Sequence, residues 1–189
     1  FEADTNLRCT LVLDCSASMG FQAAGESKLQ RARRMIATLA YLLSRQGDAV
    51  GLLCFADTSV HDIPPRRSPA HLKHIFDTLE NTAPRGRTRI VDTIHTLAER
   101  VPRRGLMLVF SDFFHPVDEL LDAFQHMRFR KHDLAAFHLL DRQELDFRFD
   151  RPIRFSDLEG ATNLLTDPGL VRSRYQRELH RYLEDFQRG

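Results

Sequence analysis

Short apolar runs alternate with longer amphipathic stretches along this chain, a pattern typical of α/β proteins. The apolar runs predict buried strands over residues 7–13, 49–56, 105–110 and 133–140. Apolar residues at helical spacing predict helices over residues 29–43, 70–79, 90–101, 117–127 and 175–186. This order of elements predicts a doubly wound, mostly parallel sheet flanked by helices.

Two segments are predicted to lie at the margins of that fold. Residues 58–63 should pair beside the second strand as an antiparallel edge strand, which Pro64-Pro65 then ends. After residue 141 the pattern becomes irregular, and only a short pairing of residues 152–155 with residues 163–166 is predicted before the terminal helix.

The composition fits one globular domain over residues 1–189, with 42% hydrophobic and 28% charged residues. The chain begins at Phe1 without a Met, so a fragment of a longer protein is an open alternative. A formal net charge of +1 provides no overall field for nucleic acid or an anionic membrane, and we expect neither as a partner. No signal peptide opens the chain and no apolar run approaches about 20 residues, so we expect the given segment to be soluble. A membrane anchor in a longer protein is an open alternative. Cys9, Cys15 and Cys54 lie in or beside apolar runs without a C-x-x-C pair, which predicts buried thiols.

The segment Asp14-Cys15-Ser16-Ala17-Ser18 directly follows the first predicted strand and places one carboxylate and two hydroxyls at alternate positions. Such oxygen atoms are suitable ligands for a hard divalent cation. The alternative is a polar turn in which these side chains cap the following helix.

Two further polar residues are predicted to reach the same edge of the sheet. Asp112 follows the strongest buried-strand pattern in the chain, and Thr88 lies in the loop before a predicted helix. Ligands of open α/β sheets bind outside the carboxyl ends of the strands. Three segments that are distant in sequence can therefore bring oxygen ligands to one point.

These residues resemble the von Willebrand factor A (vWA) fold and its metal-ion-dependent adhesion site (MIDAS), whose pattern is D-x-S-x-S, a distant Thr and a distant Asp. Asp14, Ser16, Ser18, Thr88 and Asp112 match it in order. Phrases such as 46–52 (Gln-Gly-Asp-Ala-Val-Gly-Leu), Pro64-Pro65-Arg66 and Ser111-Asp112-Phe113 resemble a narrower group, the DUF58 family of bacterial proteins. In that family the residue after the Thr is commonly Asp or Asn, whereas this chain has Arg89.

The resemblance implies that Ser16 and Ser18 bind a metal directly, and Thr88 directly or through water. Asp14 and Asp112 would act through water or accept hydrogen bonds from the ligand hydroxyls. Mg²⁺ is the expected ion, with Mn²⁺ or Ca²⁺ as alternatives. The last coordination position would take an acidic residue of a protein partner. The resemblance further implies a cytoplasmic, non-enzymatic adaptor or chaperone-like role with an AAA+ ATPase of the MoxR type.

Two other functions are open alternatives. A Mg²⁺-dependent phosphatase-like hydrolase could use Asp14 as a nucleophile, but Ser16 stands where that chemistry needs a second carboxylate, and no His or Lys is placed by sequence to assist. The second alternative is an interaction domain that binds its partner without a metal. Phosphate-binding glycine loops and a G-x-S-x-G motif are absent from the sequence.

Two clusters of charged or ionisable residues are expected to lie on the surface. His71 and His74 have a metal-compatible spacing but no third ligand, so we expect them to be exposed helix residues. Arginines 85, 87 and 89 surround Thr88, and Arg66-Arg67 follows a turn that we place nearby. They form either a solvated surface or a basic rim that steers an acidic partner.

Overall fold

A computed structural model describes residues 7–57, 59–102, 104–149, 153–156, 158–159, 163–166 and 168–189. The strands are β1 (Arg8–Asp14), β2 (Ala49–Phe55), β3 (Ser59–Arg66), β4 (Leu106–Ser111), β5 (Asp133–His138), β6 (Ile153–Ser156) and β7 (Asn163–Thr166). The helices are α1 (Lys28–Arg45), α2 (Pro69–Asn81), α3 (Ile90–Arg100), α4 (Val117–Phe129), α5 (Arg142–Asp146) and α6 (Pro168–Arg188). A short 3₁₀ helix, Ala17–Gly20, follows β1.

Five strands form one sheet in the order β3-β2-β1-β4-β5. β1 pairs in parallel with both β2 and β4, β4 pairs in parallel with β5, and β3 runs antiparallel to β2 at one edge. The prediction of a mostly parallel sheet with one antiparallel edge strand is therefore confirmed. β6 and β7 form a separate antiparallel pair.

Helices cover both faces of the five-stranded sheet because its strands are apolar on both sides. On one face, alternate residues of the strands such as Leu11, Leu52 and Phe110 pack with α1 and α2. On the other face, Val12 and Val109 are among those that pack with α3 and α4. Cys9, Cys15 and Cys54 are buried free thiols, as predicted. Within the described residues, no helix is both long and apolar enough to cross a bilayer.

The structure corrects several predicted boundaries. β3 does not end at Pro64-Pro65 but continues to Arg66, because an edge strand needs no amide donor on its open side and the register shifts between Val50 and Leu52. Residue 58 of the predicted strand and residue 152 of the predicted pairing lie outside the described residues. β5 ends at His138, and the short helix α5 was not predicted.

Candidate functional site

The polar residues predicted to meet do so at the carboxyl ends of β1 and β4. These two strands are neighbours, yet the chain passes from β1 to β2 on one side before it reaches β4 on the other. This is the point at which the strand order reverses, and such a crevice is where open α/β sheets bind ligands. Asp14 is the last residue of β1, and Asp112 follows the last residue of β4.

Asp14 accepts three hydrogen bonds. Its Oδ1 accepts from the Ser16 amide at 2.9 Å, and its Oδ2 accepts from the hydroxyls of Thr88 at 2.9 Å and Ser111 at 2.7 Å. The Asp14 side chain has no exposed surface. Burial raises the pKa of Asp14 to about 6, although the bonds from Ser111 and Ser16 act in the opposite direction. Asp14 is therefore the buried acceptor that joins three segments.

The hydroxyls of Ser16 and Ser18 lie 3.1 Å apart at the start of the 3₁₀ helix. Ser16 is buried and Ser18 is half-buried. Neither side chain caps α1: Ser27 does so, in a capping box with Gln30. The Ser16 side chain also makes no capping bond to the 3₁₀ helix. The capping interpretation thus leaves these two hydroxyls unexplained.

Thr88 lies on a loop that reaches Asp14. Backbone hydrogen bonds hold this loop against the residues that follow β1. The Arg85 amide donates to the Cys15 carbonyl at 2.8 Å, and the Ala17 amide donates to the Gly86 carbonyl at 3.0 Å. Gly86 has a φ of +65°, a conformation that a side chain disfavours. The Thr88 amide donates to the Glu159 carboxylate at 2.9 Å, which connects this loop to the segment between β6 and β7.

Asp112 is held by a lysine that the sequence analysis did not single out. The Lys28 ammonium lies 2.8 Å from Asp112 Oδ2 and 2.7 Å from Glu144 Oε1. The side chains of Lys28 and Asp112 are 3% and 1% exposed. Lys28 is the first residue of α1, 84 positions from Asp112, so no local pattern could reveal this pair. The fold therefore places a lysine at this edge, although the sequence alone placed none there.

The other oxygen of Asp112, Oδ1, is buried and accepts no hydrogen bond from any described residue. A buried carboxylate oxygen without a partner is rare and costly, and a bound cation is one of its ordinary explanations. The site otherwise offers neutral hydroxyls, which suit Mg²⁺ better than zinc. Within the described residues, no group of three or more His, Cys, Asp or Glu side chains is arranged to hold a metal ion.

Aromatic residues pack behind Asp112. Phe113 is fully buried with a φ of 50°, and its carbonyl accepts a hydrogen bond from the Tyr182 hydroxyl of α6. The ring of Phe113 packs edge-on against His138 and at a tilt against Phe186. Burial lowers the pKa of His138, which keeps its imidazole neutral near the site. Helix α6 therefore supports the turn that presents Asp112.

The other charged clusters differ from expectation. Arg66 pairs with Val50 at the start of β2, which is the opposite edge of the sheet from Thr88, because β3 runs antiparallel. The prediction that Arg66-Arg67 lies near Thr88 is therefore wrong. His71 is half-buried rather than exposed, and its Nε2 lies 2.8 Å from the Val50 carbonyl oxygen.

The arginines beside Thr88 are partly engaged within the chain. Arg87 donates to the Glu159 carbonyl, and Arg89 forms an ion pair with Asp92 at 2.6 Å. Both arginines are exposed, and they adjoin Thr88 in the sequence. The residues that sequence reasoning missed are Lys28, Ser111 and Glu144. Only Ser111 carried a signal, since it adjoins Asp112 at the end of a buried strand.

Fold and site together define a class: an α/β protein whose doubly wound sheet carries a buried, oxygen-rich crevice at its switch point. The chain belongs to the family described as "Protein of unknown function DUF58", which matches residues 1–184.

Curated relatives include uncharacterised proteins of Mycobacterium bovis and Mycobacterium tuberculosis, each 27% identical over 175 residues. The match covers 89% of this chain and 54% of each relative, so the chain spans about half the length of the curated relatives it matches.

Two solved structures share the fold. One is an aerotolerance-related membrane protein from Bacteroides fragilis, with a TM-score of 0.60 and 18% identity over 91% of this chain and 87% of that one. The other is the conserved hypothetical protein BatB from Bacteroides thetaiotaomicron, with a TM-score of 0.56 and 17% identity over 96% of this chain and 87% of that one. At this identity the likeness is one of fold alone.

Proposed function

We propose that this chain is a protein-binding module of the vWA type that holds Mg²⁺ at a MIDAS site. The ligand set is Asp14, Ser16, Ser18, Thr88 and Asp112. The observation that carries the proposal is the buried and unpartnered Oδ1 of Asp112, which lies at the same sheet edge as the hydroxyls. We further propose that the protein is not an enzyme.

The hydrogen bonds of the described residues leave hydroxyl oxygen lone pairs available to bind a cation. Because the Thr88 hydroxyl donates its hydrogen to Asp14, its oxygen lone pairs remain available. The hydroxyls of Ser16 and Ser18 lie side by side and provide further neutral donors. An ion held mainly by neutral donors keeps its charge and supplies a strong attraction for a carboxylate from another molecule.

The proposed partner therefore presents an acidic side chain. The exposed Arg87 and Arg89 at the rim would attract such a segment and raise its association rate. By resemblance to the family, we propose that the partner is an AAA+ ATPase of the MoxR type, and that the chain serves as its cytoplasmic adaptor.

Calorimetric titration with Mg²⁺ and Mn²⁺ tests the metal site. Ser18→Ala removes a half-buried hydroxyl whose described contact is with Ser16. We expect it to weaken metal binding at least about tenfold while the fold is kept. Thr38→Ala is the matched control, because its hydroxyl is exposed on α1 and, among the described residues, bonds only to the Arg34 carbonyl. Equal affinity of Ser18→Ala and wild type, or no binding by the wild type, would refute the proposal.

The partner is tested by capture of a purified MoxR-type ATPase on the immobilised chain. A chelator would also strip Mg²⁺ from the nucleotide of the ATPase, so the comparison should use wild type against Ser18→Ala in the same Mg²⁺ buffer. We expect capture by the wild type alone. Equal capture by both proteins would instead favour binding without a metal.

The two alternatives each have one observation in their favour. Lys28 already neutralises Asp112, which would suit a site that works without metal. The same lysine, bonded to Asp112 and Glu144, could assist a hydrolase. Steady turnover of p-nitrophenyl phosphate by the purified protein in Mg²⁺, abolished in Asp14→Asn, would establish the hydrolase.

A further inference from the structure

We propose that Lys28 is a resident counter-cation that sets the metal affinity of this site. Its ammonium stabilises the crevice when no divalent ion is bound and opposes the ion by charge repulsion when one binds. The proposal rests on the proposed function, because it concerns the same site.

The Lys28 ammonium is shared between two carboxylates from different parts of the chain. Asp112 Oδ2 accepts from it at 2.8 Å and Glu144 Oε1 at 2.7 Å. Glu144 is itself fixed, because its Oε2 accepts from the Asp141 amide at 2.7 Å in the capping box of α5. The ammonium thus connects α1, the end of β4 and α5.

Two aromatic rings cover the same ammonium. The Lys28 nitrogen lies 5.9 Å from the ring centre of Phe21 and 5.2 Å from that of Phe114. These rings add cation–π attraction and exclude water, which weakens dielectric screening around the charge. With two carboxylates and two rings around it, the ammonium is held in place, so its effect on a bound ion acts through its electric field.

The geometry assigns the two oxygens of Asp112 to different cations. Oδ2 is bonded to Lys28, whereas Oδ1 has no partner among the described residues. An ion at Oδ1 would lie only a few ångströms from the ammonium, and the two positive charges repel. Without the ammonium, Asp112 and Glu144 would be carboxylates in a buried site with no described cation.

The first experiment compares Lys28→Met with wild type. We expect Mn²⁺ to bind at least about tenfold more tightly to the variant, because the opposing charge is gone. In EDTA we expect its melting temperature to fall by roughly 10 °C, and saturating Mn²⁺ to restore most of the loss. Lys73→Met is the matched control: Lys73 is 75% exposed and pairs with Asp77 on α2, so neither quantity should change.

Two further variants keep the test decisive if Lys28→Met does not fold. Lys28→Arg retains the positive charge, and we expect Mn²⁺ affinity within about threefold of wild type. Glu144→Gln leaves the ammonium bonded to Asp112 but removes a negative charge, so Mn²⁺ affinity should fall. An unchanged or higher affinity in Glu144→Gln would overturn the proposal.

The outcomes separate this inference from the proposed function. If wild type binds Mn²⁺ and Lys28→Met binds it no more tightly, the counter-cation role is wrong while the metal site stands. If only Lys28→Met binds Mn²⁺, the competition is supported and the proposed function of the wild type fails. If neither folded protein binds Mn²⁺, both are refuted.

Discussion

Replacing Asp14 should separate the structural role of this carboxylate from its proposed role at the metal. From the sequence alone, the position of Asp14 at a strand end predicts a solvent-facing side chain whose removal costs little stability. The structure corrects that expectation, because Asp14 is fully buried and accepts hydrogen bonds from Ser16, Thr88 and Ser111. Asp14→Ala leaves all three donors without this acceptor.

The magnitude follows from two opposing effects. An unsatisfied buried donor costs about 1–3 kcal/mol, so three donors cost about 5 kcal/mol. Removing the carboxylate also removes a buried charge. Burial raises the pKa of Asp14 from 3.8 to about 6, which corresponds to about 3 kcal/mol against its ionised form at neutral pH. We therefore expect Asp14→Ala to lower the free energy of unfolding by about 2 kcal/mol.

Asp14→Asn provides the comparison that isolates the charge. The amide oxygen of Asn can still accept from the Ser16 amide, and its two N–H groups can donate to the hydroxyls of Thr88 and Ser111 after these rotate. Because these hydrogen bonds are kept while the cost of the buried charge is removed, we expect Asp14→Asn to be at least as stable as wild type in EDTA at neutral pH. We also expect it to lose the proposed Mg²⁺ binding, which requires the negative charge.

Urea unfolding in EDTA, followed by far-UV circular dichroism because the chain has no tryptophan, measures both variants. EDTA removes any contribution of bound metal to the stability. A free energy of unfolding for Asp14→Ala within about 0.5 kcal/mol of wild type would refute the buried network. Equal destabilisation by Asn and Ala would show that the Asn amide does not replace the carboxylate as a hydrogen-bonding partner of these segments.

Three further predictions concern the surroundings of the site and the core. Gly86→Ala should lower the free energy of unfolding by about 2 kcal/mol, because the φ of Gly86 is +65° and an added Cβ would lie 2.9 Å from a neighbouring carboxylate. The same variant should weaken the proposed metal binding. Gly25→Ala, with a φ of +75° in open space, should cost only about 1 kcal/mol by the same unfolding assay. Burial, reinforced by an aspartate charge, raises the pKa of Cys9 to about 12. Iodoacetamide should therefore leave Cys9 unmodified in the native protein near pH 8.5. The stability that the protonated thiol contributes should be present below about pH 9 and should be lost as the pH rises towards 12. Ile36→Ala should lower the free energy of unfolding by about 3 kcal/mol, because it leaves a cavity in the core. Leu42 is about half-exposed, so Leu42→Ala should lower it by less than about 1 kcal/mol.

Much of the fold was predictable because it is encoded in local periodicity. β1, β2 and β4 are continuous apolar runs that are buried on both faces, and α1 carries one apolar stripe that meets the sheet. Predictions failed where the outcome depends on neighbours in space. The edge position of β3 was predicted, but its end at Pro64-Pro65 was not correct, because the register shift against β2 lets the pairing continue to Arg66.

In the candidate site, too, the residues set by local sequence were predictable and the contacts set by tertiary packing were not. The residue types of Asp14, Ser16 and Ser18 and their alternate spacing at a strand end were sufficient to nominate an oxygen-rich turn. Asp112 and Thr88 joined it through a general rule about strand ends in parallel sheets. The pairing of Asp112 with Lys28 and Glu144 was out of reach, because it depends on where α1 and α5 pack against the sheet.

By itself, the sequence determined the strands and helices, the mostly parallel sheet and the donor atoms available at its carboxyl edge, since these follow from side-chain chemistry and short-range spacing. Only the tertiary structure decided that β1 lies beside β4, that Asp14 is buried, and that a lysine 84 residues from Asp112 neutralises it. The physical reason is that charge and burial depend on distances through space. These distances arise when the helices pack onto the sheet, and no local pattern records them.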